Sequence, residues 1–162
     1  MKSFIADVKY QDKHPNTITL HCSDGRFTKA INALLNAYDH SYYDIMTLPG
    51  GAALLDMSNA SMIEVEASRA ATSFLIKGHS IEHAFLVAHE GCGFYKKKYP
   101  GQSVEFIQNR QVRDLQMGAV WLTKMFPKLN ISMFMAVPNV NSGQVFLSLI
   151  EPGNAQMAHM SI

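Results

Sequence analysis

Two short clusters in this chain hold side chains that can do chemistry together: Cys22-Ser23-Asp24-Gly25-Arg26 and His89-Glu90-Gly91-Cys92. They supply two thiols, one imidazole, and a carboxylate two residues from a guanidinium. Two thiolates and an imidazole are donors that tetrahedral zinc prefers. Three protein ligands leave a fourth position for water or substrate, which is the catalytic arrangement rather than the closed structural one. The chain has only two cysteines, and both sit in these clusters.

For the clusters to meet, the elements before them must end side by side. Asn16 to Cys22 is β-branched and apolar and reads as a strand. Thr28 to Tyr38 carries Ile31, Leu34, Leu35 and Tyr38 at helical spacing. Tyr43 to Leu48 reads as a second strand, stopped by Pro49-Gly50-Gly51. Ser61 to Lys77 reads as a long helix with Ile63, Ala67, Ala70, Ala71, Phe74 and Leu75 towards one side, and Gly78 as its C-terminal cap. His83 to Ala88 is a near-continuous apolar run, as in a central parallel strand covered on both faces. Val104 to Met125 reads as a further helix with Val112, Leu115, Val120 and Leu122 in the core. Ile131 to Val137 and Gln144 to Ile150 form a hairpin across Asn139-Val140-Asn141-Ser142-Gly143.

Strands alternating with helices predict an α/β fold: a mostly parallel sheet flanked by helices, with one antiparallel edge strand from the C-terminal hairpin. In open α/β sheets, sites form outside the carboxyl ends of the strands. Cys22 ends the first strand and His89 follows the third, so both clusters fall on one edge.

A chain of 162 residues reads as a single domain over 1–162, long enough to bury a core without disulfides. Hydrophobic residues make up 48% and charged residues 17%, a globular balance. A net charge of +1 gives no electrostatic footprint for nucleic acid or an anionic membrane. Lys96-Lys97-Lys98 reads as a solvated helix end or loop. No apolar leader opens the sequence, and no stretch nears the roughly 18 apolar residues of a membrane span. The expected location is cytoplasmic, where two cysteines favour a metal or catalytic role over a disulfide.

Cys-x-Asp-x-Arg after an early strand and His-x-x-Cys after a later one, in this order, resemble the β-class carbonic anhydrases. The resemblance is strongest from about Asn16 to Gly93, and the closing hairpin fits it too. It implies zinc held by Cys22, His89 and Cys92, with Asp24 and Arg26 as a hydrogen-bonded catalytic dyad beside it. It implies a homodimer or a higher assembly of dimers. It also implies reversible hydration of carbon dioxide to bicarbonate by a zinc-bound hydroxide. One segment departs from the family: Leu48-Pro49-Gly50-Gly51 stands where an Arg-Asn-Ala-Gly segment is usual.

Two thiolates cancel the charge of the metal, so acidification of a bound water is expected to be weaker than at a three-histidine site. Asp24 then accepts a hydrogen bond from the hydroxide, while Arg26 holds Asp24 ionised. Should Asp24 turn onto zinc instead, the site closes, a switch the family resemblance implies for some members. His21, His40, His79, His83 and Glu90 are conceivable carriers for the departing proton, with none assigned. His21 should face away from Cys22, and His79 and His83 straddle a turn rather than form a helical metal pair.

Three other functions fit parts of the pattern. A hydrolase of carbonyl sulfide or carbon disulfide keeps the zinc chemistry, and the Leu48-Pro49-Gly50-Gly51 segment leaves room for it. A non-catalytic zinc protein would hold Asp24 as a permanent fourth ligand. A thiol-redox protein would use Cys22 and Cys92, although they do not form a Cys-x-x-Cys pair. A cysteine phosphatase is excluded, because its anion loop needs Arg six positions after the Cys and position 28 is Thr.

Overall fold

The computed structural model describes residues 3–58 and 60–152. The chain order is β1 (Thr17–Cys22), α1 (Thr28–Ala37), β2 (Asp44–Leu48), α2 (Met62–Gly78), β3 (His83–His89), α3 (Gly93–Lys98), α4 (Val104–Met125), β4 (Asn130–Pro138) and β5 (Val145–Ile150). Short 3-10 turns at Gly25–Phe27 and Gly51–Leu55 follow the first two strands. The five strands form one sheet in the order β2-β1-β3-β4-β5. All neighbours are parallel except β4 and β5. This is the α/β architecture expected, antiparallel edge included.

Register sets the site. His21 lies opposite Val87, so β1 and β3 finish within two residues of each other. Cys22 pairs with Leu48 and His89 with Ala136, each the last or near-last pair of its ladder. Alternation along β1 sends Ile18 and Leu20 to one face, where they join Leu55, Leu86, Leu115, Leu122 and Met133 beneath α2 and α4. The other face packs Phe85, Val87, Phe134 and Ala136 against Phe27, Ile31 and Leu35 of the α1 side. A third, smaller cluster of Ala53, Cys92, Tyr95 and Ile107 receives Cys22 and Phe94 at the sheet edge.

α2 does not bury the side that gathers most of its apolar residues. Its buried residues are Val65, Ser68, Thr72 and Ile76, while Ile63 is 80% and Phe74 71% exposed. Ala67, Ala70 and Ala71 are exposed as well. Ser68 and Thr72 can go inward because their hydroxyls donate to the carbonyls of Glu64 and Ser68, one turn back, each at 2.8 Å. The helix start is well specified: Ser61 and Glu64 exchange bonds in a capping box. Its end is not the expected glycine cap, since Gly78 is the last helical residue, His79 is the cap, and Ser80 takes the positive φ of 56°. In α4, Leu115 and Leu122 are buried as expected, whereas Val112 and Val120 are half-buried and Ile107, Gln111, Asp114 and Gly118 lie inward.

Candidate metal centre

The chain leaves β1 at Cys22 and turns at once into the 3-10 turn that Asp24 caps. The Asp24 carboxylate accepts the Arg26 backbone N–H at 3.1 Å. It also accepts the guanidinium: Nε donates to Oδ1 at 2.9 Å and to Oδ2 at 3.1 Å, and Nη2 donates to Oδ2 at 2.6 Å. One carboxylate thus serves as cap and as ion-pair partner. The Arg26 side chain, by its hydrogen bonds first, brings the Asp24 carboxyl down to about 2.

β3 ends at His89, and the chain bends through Glu90 and Gly91 to Cys92. Nδ1 of His89 lies 2.9 Å from the Glu90 carbonyl. A carbonyl only accepts, so Nδ1 carries the proton and the Nε2 lone pair is left. Nε2 is buried and has no hydrogen-bond partner. An orphaned acceptor of this kind is costly unless something binds it. The ligand atoms of Cys22, His89 and Cys92 all lie within 4.8 Å of one another, the one such group among the described residues able to hold a metal ion.

The two sulfurs are 3.8 Å apart. Two thiolates at about 2.3 Å from a tetrahedral ion stand about 3.8 Å from each other, so the spacing suits zinc. The pair loses its first proton easily. The Cys22 thiol is pushed down to about 4, chiefly by the Cys92 thiol bonding to it, with His89 and the backbone N–H groups of Gly50 and Asp24 assisting against burial. Cys92 moves upward, because Cys22 beside it holds the negative charge and burial adds to the effect. An electron-rich sulfur pair with an oriented imidazole is a donor set for a soft or borderline divalent cation.

The Leu48-Pro49-Gly50-Gly51 segment is part of this wall. Gly50 and Gly51 have φ of 87° and 60°. A Cβ at Gly51 would lie 2.8 Å from the Cys22 backbone nitrogen, and one at Gly50 would lie 2.6 Å from the Phe94 ring. The turn can therefore press against the end of β1, and the Gly50 N–H donates to Cys22 Sγ at 3.4 Å. The sequence marked these residues as a strand breaker and as the segment that departs from the family, and the close approach of the two glycines to Cys22 and Phe94 is what the structure adds.

Two supports had no signal in the sequence. Gln111 of α4, 1% exposed, donates from Nε2 to the His89 carbonyl at 2.8 Å. Gln108, one turn earlier, donates to the Glu90 carboxylate at 2.7 Å. Together they strap the His89–Glu90 bend to α4. A glutamine in an amphipathic helix looks the same whether it meets water or a buried carbonyl.

His21 does face away from Cys22. It is 7% exposed, Nδ1 lies 2.8 Å from the Cys22 carbonyl, and burial lowers its pKa. His40, His79 and His83 are removed as proton carriers. His83 begins β3 and His89 ends it, seven residues that span about 20 Å at the usual strand rise. His40 bonds to Thr17 at the start of β1, and His79 to Asp44 at the start of β2. Lys96, Lys97 and Lys98 form the last turn of α3, as a helix end should.

No helix among the described residues is long and apolar enough to cross a membrane. Residues 12–135, well over half of the chain, match the model of a family described as "Putative carbonic anhydrase". Among curated proteins no sequence match was found. Solved structures share the fold at low identity. The β-carbonic anhydrase CafA of Aspergillus fumigatus is 16% identical with a TM-score of 0.57, covering 89% of this chain and 79% of that one. The carbonic anhydrase of Streptococcus mutans is 12% identical with a TM-score of 0.55, covering 90% and 88%. One of two tetrameric β-carbonic anhydrases from Sordaria macrospora is 10% identical with a TM-score of 0.50, covering 83% and 81%. A family match over that span means that this chain belongs to the carbonic anhydrase family the model describes, and its fold is the one these solved carbonic anhydrases share.

Proposed function

We propose that the protein catalyses the reversible hydration of carbon dioxide to bicarbonate, with zinc held by Cys22, His89 and Cys92. The observation that carries this reading is a buried, unpartnered His89 Nε2 converging with two sulfurs 3.8 Å apart, beside a carboxylate that Arg26 holds away from them. When bound, zinc supplies the Lewis acidity that brings the pKa of a water from about 15.7 towards about 7.

The chain's own residues do the rest. Asp24, ionised by its bonds to Arg26, accepts a hydrogen bond from the attacking oxygen and aims its lone pair at the substrate carbon. Arg26 also holds Asp24 off the ligand cluster, which leaves room for substrate. The Glu90 carbonyl and Gln111 fix the tautomer and the angle of His89. Of the five proton carriers the sequence suggested, His21 and Glu90 are the two at this edge.

A hydrolase acting on carbonyl sulfide or carbon disulfide is the second reading. It is favoured by the apolar segment at Leu48 and Pro49, which lines a cleft with Met46, Leu54 and Phe94 next to Gly50. We infer a homodimer or a larger assembly of dimers, because the α2 face carrying Ile63 and Phe74 has no cover among the described residues. The Sordaria macrospora relatives are tetrameric.

The test is stopped-flow hydration of carbon dioxide across pH, on protein whose zinc is quantified in the same sample. One zinc per chain with hydration near neutral pH is the expected result. Activity only at high pH would mean a site that Asp24 closes at neutrality. Zinc without hydration at any pH, but with turnover of carbonyl sulfide, would move the assignment to the second reading. No zinc after reconstitution would overturn both.

A further inference from the structure

α1 and β5 pack against the same core cluster and meet at its rim. A groove of about 580 Å³ runs between them, a volume usual for small-ligand sites. Its helical wall is Ala30, Ala33 and Leu34, and its strand side is Val145 and Leu147. Arg26 and Lys29 line it as well, and no carboxylate does.

Arg26 has bonding capacity left. Its Nε and Nη2 serve Asp24. Nη1 has no protein partner among the described residues, and the side chain is 69% exposed. A guanidinium with a free edge is shaped for an oxyanion, and a nearby ammonium adds charge without fixing geometry. An apolar trough ending in two cations has the complementarity of one ligand class, a carboxylate on a hydrocarbon chain.

We propose that this groove binds a medium-chain carboxylate such as octanoate. Its head group sits on Arg26 Nη1 and Lys29, and its chain lies along Ala30, Ala33, Leu34, Val145 and Leu147. Nε and Nη2 already hold Asp24, so a second carboxylate at Nη1 shares the one positive charge of the guanidinium with it. Occupancy therefore loosens the hold of Arg26 on Asp24 and lowers turnover. This coupling rests on the function proposed above, whereas the binding site does not.

The experiment is calorimetric titration of octanoate, below its micelle-forming concentration, into the protein as purified with its metal content measured. One site per chain is expected, with acetate at least about tenfold weaker because it lacks the chain. Ala33→Trp, at an exposed helix position, fills the trough and should weaken octanoate at least about tenfold. Lys29→Gln should weaken it about threefold, as loss of one solvent-facing charge does. Equal binding of acetate and octanoate, or undiminished binding by Ala33→Trp, would place the carboxylate on the metal or elsewhere and overturn the proposal. No binding at all would overturn it too. Octanoate should inhibit carbon dioxide hydration by the unaltered chain but not by Ala33→Trp. A protein that binds octanoate yet hydrates nothing would sink the proposed function and keep the groove. An active protein that ignores octanoate would do the reverse.

Discussion

The two ends of the parallel sheet both carry imidazoles, yet among the described residues only one end gathers three metal-binding side chains. At the amino ends of the strands, His79 Nδ1 lies 2.5 Å from Asp44, and the His14 ring stacks on His79 at 3.9 Å. There His40 bonds to Thr17 at 2.8 Å and its ring leans on His83 at 4.6 Å. At the carboxyl ends, the His89 ring leans on Phe27 at 4.3 Å and its Nδ1 bonds to the carbonyl of the next residue, which leaves the buried Nε2 without a hydrogen-bond partner beside the two sulfurs. A metal centre thus needs lone pairs left over and converging, not merely histidines in company. The bends after β1 and β3 provide this, since they supply carbonyls and N–H groups that orient the ligands from behind.

Breaking the carboxyl end should have the largest effect. Cys92→Ser is expected to lower bound zinc from one per chain by at least about tenfold, read by metal analysis after dialysis. Zinc retained in that variant would mean the cluster is not the metal centre. Asp24→Ala should keep its zinc and lose about a hundred- to ten-thousandfold in hydration rate; full activity would sink the role given to Asp24. Gly51→Ala sets a Cβ against the backbone of Cys22 and should cost about 1–3 kcal/mol in denaturant unfolding.

Arg26→Ala sharpens the comparison without breaking it. Zinc should remain, and the pH–rate profile should move to higher pH as Asp24 turns towards the cluster; an unchanged profile would count against this. The ion pair also has its own pH window. The Asp24 carboxyl lies below its unfolded value near 3.9, so the pair contributes stability above that value and loses it as pH falls towards about 2. The gap in stability between Arg26→Ala and the parent should therefore narrow over that range. His79→Ala tests the other end. It should cost about 1 kcal/mol of stability by losing its bond to Asp44, with zinc content and hydration rate unchanged. A loss of zinc there would show that the two ends are not independent.

The strands were legible because each is a run of β-branched or apolar residues closed by a turn former, and alternation with helices then fixed the sheet class. The carboxyl-end location of Cys22 and His89 followed from that order. The buried face of α2 was not legible. Ile63, Ala67, Ala70 and Phe74 look more like a core stripe than Val65, Ser68, Thr72 and Ile76, until the hydroxyls of Ser68 and Thr72 are seen to be satisfied within the helix. Three of the five conceivable proton carriers, His40, His79 and His83, fell away for a different reason. Which end of a strand a histidine occupies decides its distance to the metal centre, and residue type says nothing of that. Gln111 left no trace because its partner is a backbone carbonyl, invisible in any pattern of side chains.

Cys22 and Cys92 are 70 residues apart in sequence. An ion held by both is therefore a cross-link as well as a reagent. A covalent link closing a loop of that length removes about 4 kcal/mol of chain entropy from the unfolded state. A reversible coordinate link acts in the same direction, to an extent set by free ion concentration over its dissociation constant. Under the proposed function, catalysis and folding would share one ligand set, so a change in either sulfur would be felt by both.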